Sequence, residues 1–418
     1  MSKFNVSTNH PIIPNAQEYM YETKYLSINS TDINTNKYPN ISNFEIELPQ
    51  DYCNVQSFCV SSWTFPTNIN TYSKYFRNTT MTFQINQPYR PTFTYVPSSP
   101  TAPSAALLEA VYEALYYKLN STDSNFIVTI EDGVYHINNI YIELTNQFNY
   151  SVSQYIINYF TENSNAPMLL EFMNTGQYTE FNIILNAVSI QLSFGNKSSG
   201  FILTNDSEIN YNIRNGVQCS SFTGEVTPAE ALFGLSYWCG FNTNKPQSYT
   251  SIQTTNLNNV RMFGLVGTSG IWLTPTYNDS LNVYYINAPS IWNMFADKYY
   301  AYIDIAGYNS LDETQIFNTE SNKSTSSKVN SSFAKLPIYV NSVFPTNNFY
   351  FNNCKYFDNI VKVFNPPISR LKRLCIRLKY HSGEYMNFGG TSYSFTLKFN
   401  IYLPQNAKSM TVFKPEGL

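Results

Sequence analysis

Apolar and polar residues alternate over short stretches of this chain, which is the pattern of half-buried β-strands. The segment FEIELP at residues 44–49 points its three apolar side chains one way and its two glutamates the other, and it predicts a strand that ends at Pro49. A second strand is predicted over residues 54–66. Residues 364–403 contain two alternating runs separated by a Ser-Gly turn and a Gly-Gly step, which predict an antiparallel pair of strands.

Two segments carry helical signals instead. Residues 103–119 begin with proline and carry leucine or valine at three- and four-residue steps, so they predict a helix with one apolar stripe. The segment TPAEALFG at residues 227–234 begins with a capping box and ends in glycine, which predicts a short helix. Residues 151–160 fit a helix and a strand equally well. Further strands are predicted at residues 126–130, 135–144, 181–194 and 299–305.

This pattern predicts an all-β fold with a few short helices, and many short strands joined by polar loops are typical of a jelly-roll type β-sandwich. The number of strands favours two sandwiches, a double jelly roll. The expected parts are an N-terminal arm at residues 1–42, a first jelly-roll-like β domain at 43–215 that includes the helix at 103–119, a second such domain at 216–404 with an exposed loop at 309–332, and a C-terminal tail at 405–418.

The composition agrees with strands and polar loops, because 35 tyrosines and 30 phenylalanines stand against only 13% charged residues. The formal net charge of −3 argues against a general nucleic-acid-binding protein, which normally has a basic surplus. No stretch is apolar for long enough to predict a membrane span, and no secretory signal is visible. The six cysteines are scattered without a Cys-x-x-Cys pair, which indicates buried thiols in a reducing compartment.

Residues that could form a catalytic, cofactor or metal site are sparse, and we expect no such site. The glycine-containing segments at 234–238 and 264–270 lack the residues of a nucleophile elbow and of a phosphate-binding loop. Asp304 lies in a predicted strand with no partner at a meaningful spacing. The three histidines are far apart in the sequence: His10, His136 and His381. Nothing in the sequence therefore favours an enzyme.

One basic cluster stands out, formed by Arg370, Lys372, Arg373, Arg377 and Lys379. If the intervening apolar residues face the core, Arg373, Arg377 and Lys379 share the opposite face of one strand. Two interpretations are open. These cations protect an exposed strand against edge pairing, or they form a docking stripe for an acidic neighbour.

Two segments resemble a known protein family. Residues 28–49 contain an Asp-bearing loop and a Tyr-Pro pair before a Phe-led strand, and residues 364–399 contain a Pro-Pro start, a Leu-rich strand, a glycine turn and a Ser-Phe strand. In these features the chain resembles the minor capsid and penton-like proteins of nucleocytoplasmic large DNA viruses and their relatives. The matching residues are Asp32, Tyr38, Pro39, Asn43, Phe44, Pro366, Pro367, Leu371, Leu374, Ile376, Gly383, Phe388, Gly390, Ser394, Phe395 and Leu397. Asn387 and Lys398 depart from the pattern, since acidic residues are common at both places.

The resemblance implies a structural protein of an icosahedral large-DNA-virus capsid, in the role of a minor capsid, penton-like or cementing component. It implies contacts with the major capsid protein and other capsid proteins, a homo-oligomer, and a place in the virion after assembly in the host cytoplasm. It implies no cofactor. The expected interaction residues are Tyr38, Pro39, Arg373, Arg377 and Lys379. The alternative is a surface-displayed lectin-like binding module, which exposed aromatic residues along a concave groove would favour.

Overall fold

The computed structural model describes residues 21–66, 69–87, 104–119, 125–136, 138–163, 166–175, 178–204, 206, 234–241, 248–263, 269–276, 281–293, 296, 298–312, 331–338, 349–353 and 361–403. Several predicted features lie outside the described residues. These are most of the arm (1–20), most of the helix predicted at 227–234, the greater part of the loop (313–330) and the C-terminal tail (404–418).

Antiparallel β-strands dominate the described part of the chain. In chain order they are β1 (Tyr21–Asn29), β2 (Asn43–Pro66), β3 (Thr80–Gln87), β4 (Phe126–Thr129), β5 (Phe181–Asn186), β6 (Gln191–Asn196), β7 (Gly200–Thr204), β8 (Ser248–Thr250), β9 (Ile252–Thr254), β10 (Arg261–Phe263), β11 (Ser269–Ile271), β12 (Val283–Asn287), β13 (Tyr300–Ile305), β14 (Leu311–Asp312), β15 (Ser331–Ser332), β16 (Ala334–Pro337), β17 (Phe349–Asn353), β18 (Lys362–Lys379) and β19 (Ser394–Tyr402). The predicted all-β fold is therefore confirmed.

The described helices are α1 (Ala105–Leu119), α2 (Ile140–Glu162), α3 (Ala166–Thr175) and α4 (Leu235–Trp238). The helix predicted at 103–119 is confirmed by α1. The strand predicted at 135–144 is wrong, since α2 begins at Ile140 and runs for 23 residues through the ambiguous segment 151–160. The buried residues of α2 recur mainly at four-residue steps, which is the period of one helix face: Ile140, Leu144, Phe148, Val152, Ser153, Ile156 and Phe160.

The contacts divide the chain into two compact units, and the first is discontinuous in sequence. Unit 1 comprises Met1–Ile69 together with Lys298–Leu418, and unit 2 comprises Asn70–Asp297. This nested arrangement differs from the two consecutive domains expected with a boundary at 215/216. Its physical basis is antiparallel pairing: β2, early in the chain, pairs with β17, β18 and β19, which come last. Residues 21–29, expected in the arm, form β1 and pair along their full length with β19.

Unit 1 is built on a seven-stranded sheet with the order β1-β19-β2-β18-β13-β16, and β17 also pairs with β2. The prediction that a strand ends at Pro49 is wrong, because β2 is one strand of 24 residues. Its first part pairs with β18, from Asn43 to Phe58, and its later part pairs with β19, from Val55 to Thr64. Asn54, the residue before the pairing with β19 begins, has a left-handed φ of 56°, a conformation that asparagine tolerates better than most residues.

Aromatic packing fills the core of unit 1. The Phe58 side chain is fully buried, and its ring stacks on Phe333 at 4.8 Å, on Phe399 at 5.0 Å and on Phe364 at 5.5 Å between centroids. Because β2, β18 and β19 each supply one of these phenylalanines, the cluster ties the central strands of the sheet together through their side chains.

Unit 2 contains two four-stranded antiparallel sheets, with the orders β4-β3-β7-β8 and β5-β6-β12-β9. Both sheets and α2 contribute to one hydrophobic core. Phe83 of β3 packs edge-on against Phe181 of β5 at 5.0 Å between centroids, and it stacks on Phe148 of α2 at 4.7 Å. Two sheets that share a core in this way form a β-sandwich, which is the layer arrangement expected from the alternating pattern of the sequence.

Candidate interaction surface

The basic residues of β18 lie on the polar face of the unit 1 sheet. Leu374, Ile376 and Leu378 are at most 1% exposed, so the intervening side chains point away from the core. The alternation predicted for this strand is therefore present in the structure. Four of the five basic residues singled out from the sequence contact carboxylates, and these carboxylates lie on two different neighbouring strands, β2 and β13.

Arg377 and Lys379 converge on one carboxylate. Asp304 of β13 lies opposite Arg377 in the strand register, and one of its oxygens is 3.1 Å from Lys379 Nζ and 3.5 Å from an Arg377 guanidinium nitrogen. The Asn309 side-chain amide donates to the other oxygen at 2.8 Å. Asp304 therefore has partners that sequence spacing alone did not reveal, because they are 73 and 75 positions away.

The Asp304 carboxyl is ionised in this setting. Burial by itself disfavours the charged form, but the hydrogen bonds from Asn309 and Lys379 and the charges of Lys379 and Arg377 outweigh it. The net result is that the pKa of Asp304 lies below its ordinary value. We call Asp304, Asn309, Arg377 and Lys379 the Asp304 cluster. In it a buried carboxylate contacts two cations that are only partly exposed.

Arg373 and Arg370 also face acidic residues, on the neighbouring strand β2. Arg373 lies 3.8 Å from both Glu45 and Glu47, and Arg370 forms an ion pair with Asp51. All these side chains are more than a third exposed, so water and salt screen the pairs and each adds little to stability. Arg370, Arg373, Arg377 and Lys379 are therefore each matched by a carboxylate on β2 or β13.

Tyr38 and Pro39 lie in the loop that joins β1 to β2. Side-chain oxygens of Asn34 and Asn40 accept hydrogen bonds from backbone N–H groups two residues further on, at 3.1 and 2.9 Å, so the loop is built from two Asx turns. Tyr38 is half-buried and Pro39 is exposed. The Lys37 ammonium sits 4.9 Å from the centre of the Tyr38 ring, and contact with Tyr38 raises the pKa of Lys37.

A groove of about 400 Å³ runs between this loop, the end of β1 and the start of β2. We call it the edge groove. Its lining residues are Leu26, Ser27, Ile28, Asn29, Asp32, Ile33, Asn34, Lys37, Tyr38, Phe44, Glu45, Ile46, Glu47 and Pro49. Of the expected interaction residues, Tyr38 lines it directly, and Arg373 reaches its border through Glu45 and Glu47. Arg377 and Lys379 instead belong to the Asp304 cluster.

The two segments that carry the family resemblance meet in unit 1. Ser30 and Tyr393 exchange hydrogen bonds: the Ser30 N–H donates to the Tyr393 carbonyl, and the Tyr393 N–H donates to Ser30 Oγ, each at 2.9 Å. The Ser42 hydroxyl donates to the Met386 carbonyl at 2.5 Å. The Tyr393 hydroxyl also donates to the Ile41 carbonyl. These contacts join residues more than 340 positions apart.

Sequence reasoning missed the serines at these junctions, Ser30 and Ser42. Both are buried, and each satisfies a backbone group of the closing segment that would otherwise be unpaired. A buried serine next to a strand carries no distinctive signal in a polar loop. Only the pairing of the flanking strands identifies it.

Within the described residues, no group of three or more His, Cys, Asp or Glu side chains could hold a metal ion. No helix in that part of the chain is long and apolar enough to cross a membrane.

No protein-family model and no curated protein matches the sequence. Solved structures that match this chain include the following two. The selenomethionine-labelled penton protein of mavirus has a TM-score of 0.36 and 7% identity, with 90% of this chain and 99% of that chain covered. A chain of the Sputnik virophage, solved by cryo-electron microscopy, has a TM-score of 0.37 and 13% identity, with 94% and 99% covered. Both TM-scores are low, so these likenesses do not establish the function of this chain.

Proposed function

We propose that this chain is a structural protein of an icosahedral large-DNA-virus capsid, acting as a minor capsid, penton-like or cementing component. The observation that carries the proposal is the joining of the two resemblance-bearing segments. Residues 28–49 and 364–399 are separated by most of the chain, yet they form adjacent strands and junctions of one sheet. The motifs on which the resemblance rests therefore belong to a single structural element.

The physical character of the described units supports a role that depends on shape. Each unit packs buried aromatic side chains between antiparallel strands, and such cores are close-packed and resist deformation. The charged residues of the unit 1 sheet face each other in cross-strand pairs. A unit with such a core can present fixed loops and strand edges to neighbouring subunits.

The proposed partners are the major capsid protein, other capsid proteins and further copies of this chain, and the proposed location is the virion. Contacts are expected at the exposed loop that bears Tyr38 and Pro39. In this proposal the chain transforms no molecule. Tyrosine gives a large and rigid contact area at low entropic cost, which suits its abundance in this chain.

Quantitative mass spectrometry of purified particles tests the proposal. The copy number of this chain is measured against the major capsid protein, with detergent-washed particles as the control for adherent host proteins. About five copies per vertex indicate a penton-like component, and a larger number indicates a cementing one. The proposal fails if the washed particles lack the chain while infected cells contain it.

A further inference from the structure

In unit 1, β1 and the first part of β2 each have one edge that no described strand pairs with. The pairs between β2 and β19 begin at Val55, so residues 43–53 of β2 pair only with β18 among the described strands. Among the described strands, β1 likewise pairs only with β19. Exposed edges of this kind carry unpaired N–H and C=O groups that can accept a further strand.

The strand register shows which backbone groups of β2 point outward. The Leu378 N–H donates to the Ser42 carbonyl, and the antiparallel register continues without a shift to Arg373 opposite Glu47. Because hydrogen-bonded and non-hydrogen-bonded pairs alternate, the N–H and C=O groups of Glu45 and Glu47 point away from β18. Past Glu47 the register shifts, and Pro49 lies in this irregular stretch, where its missing N–H is tolerated.

The same reasoning applies to β1. The Ser30 N–H donates to the Tyr393 carbonyl, and Ser30 continues the register in which Asn29 lies opposite Ser394. Alternation therefore directs the N–H and C=O groups of Ser27 and Asn29 away from β19. Both edges with outward-pointing groups line the edge groove.

The side chains of the edge groove add two further constraints on what it can hold. Its floor is apolar: Leu26, Ile28 and Phe44 at its base are at most 9% exposed, and Ile33 and Ile46 beside them are partly exposed. Its rim carries three carboxylates, on Asp32, Glu45 and Glu47, and one cation, Lys37, which lies over the Tyr38 ring. Arg373 offsets part of this charge at 3.8 Å, and the rim retains an acidic surplus.

We infer that the edge groove binds an extended segment of a different, neighbouring capsid chain, which adds as a strand to the open edge of β2. The segment has apolar side chains that alternate with lysine or arginine. Its backbone pairs with Glu45 and Glu47, its apolar side chains cover the floor, and its cations face the acidic rim. This inference rests on the proposed function.

Pro49 sets the length of the added strand. A proline offers no N–H to a partner, so backbone pairing on this edge is confined to the residues before it. A short strand addition gives modest affinity, and the alternation of apolar and basic side chains supplies the specificity.

The test uses the full-length chain and a fluorescein-labelled peptide, Thr-Lys-Val-Lys-Val-Lys-Thr, with blocked ends. Binding is followed by fluorescence anisotropy. A peptide with glutamate in place of each lysine is the charge control, and it should bind at least about tenfold more weakly because like charges then face the rim. Equal binding of the two peptides would overturn the inference.

A matched pair of variants isolates the backbone contact. Glu47→Ala and Glu47→Pro remove the same carboxylate, but only the proline also removes the outward N–H. We expect Glu47→Pro to bind at least about fivefold more weakly than Glu47→Ala, because one buried hydrogen bond is lost. Equal affinities would overturn the inference. Glu162→Gln, on the exposed end of α2 in unit 2, should bind the peptide as the unchanged protein does.

Hydrogen exchange provides a readout that does not depend on the proline variant folding. In the unchanged protein, the lysine peptide should slow exchange of amides in residues 43–47 and leave the amides of α2 unaffected. Binding without protection at 43–47 would overturn the inference. A different result is that the unchanged protein self-associates in a way that Glu47→Ala retains and Glu47→Pro abolishes. That result would assign the edge of β2 to a second copy of this chain and would also overturn the inference.

These outcomes are separable from the fate of the proposed function. If particles lack the chain but the peptide protects residues 43–47, the capsid role fails. The strand-binding site is then retained, but its occupant is no longer assigned to a capsid protein. If particles contain the chain and the peptide does not bind, only the edge-groove inference fails.

Discussion

Replacement of Asp304 by asparagine removes one negative charge from the interior of unit 1 and changes little else. The side chain keeps its shape and can still hydrogen-bond with Asn309, which donates to it at 2.8 Å. What is lost is the attraction of Lys379 and Arg377, whose nitrogens lie 3.1 and 3.5 Å from the carboxylate. The change therefore measures the value of a buried anion held by two cations.

The expected loss follows from the exposure of the three partners. Removing one member of a fully buried ion pair costs about 3–5 kcal/mol, because the remaining charge is left uncompensated. Here Asp304 is 10% exposed, but the side chains of Lys379 and Arg377 are 24% and 38% exposed and can regain part of their hydration. We therefore expect Asp304→Asn to lower the free energy of unfolding of unit 1 by about 2 kcal/mol, a factor of about 30 in the equilibrium constant.

The pH dependence has a definite sign. The pKa of Asp304 in the folded protein lies below its ordinary value of 3.8, so the carboxylate contributes stability in full above the unfolded pKa. That contribution disappears as the pH falls through the lower pKa of the folded state. The difference between the unchanged protein and Asp304→Asn should be constant from about pH 5 to pH 7 and should shrink below about pH 4.

Hydrogen exchange of the β13 and β18 amides is the appropriate assay, because a two-unit chain does not have one well-defined unfolding free energy. Asp51→Asn is the control, since it breaks the exposed Arg370 pair and should change protection by less than about 1 kcal/mol. Equal effects of the two variants would refute the reasoning from burial. So would a stability difference for Asp304→Asn that grows toward acid pH.

Three further changes test the packing and the backbone. Phe58→Ala should destabilise unit 1 by about 3–5 kcal/mol, since it opens a cavity in the stacked core. Hydrogen-exchange protection of the β2 and β19 amides measures this loss, and a loss below about 1 kcal/mol would contradict the prediction. Asn54→Val should lower stability by about 1–3 kcal/mol, because residue 54 has a φ of 56° and a β-branched residue is strained there. Asn54→Gly should be tolerated. Similar urea midpoints for the two variants would contradict this prediction. Gly240→Ala should reduce the melting temperature of unit 2, since a Cβ there would lie 2.3 Å from the Ser290 carbonyl oxygen and Gly240 has a φ of +98°. An unchanged melting temperature would contradict this prediction.

Local periodicity predicted the strands whose faces differ most in polarity. The alternation around Leu374, Ile376 and Leu378 placed these residues in the core, and the structure buries them. The same reasoning ended a strand at Pro49, and the structure continues it. Pro49 lies where the pairing of β2 with β18 shifts register, between Glu47 and Tyr52, and a proline is tolerated at such an irregularity. The local sequence does not show where a register shift falls.

Long-range partners account for most of what the sequence could not predict. Asp304 gave no signal because its cations come from a strand more than 70 positions later. α2 was missed in part because its isoleucines, tyrosines and asparagines are weak helix formers, and only the four-residue spacing from Leu144 to Phe160 indicates a buried helix face. The nested units follow from the pairing of β2 with late strands, which no local pattern encodes.

The position of unit 2 between β2 and β13 has a consequence for synthesis of the protein. A ribosome releases all of Asn70–Asp297 before it makes β18 and β19, and domains generally fold as they emerge. Unit 2 can therefore become compact early. β2 can pair only after β18 and β19 have been made, about 300 codons later. During that interval the apolar side chains of β2 are exposed to solvent, and a chaperone that shields extended segments would raise the yield of this protein more than that of a chain with sequential domains.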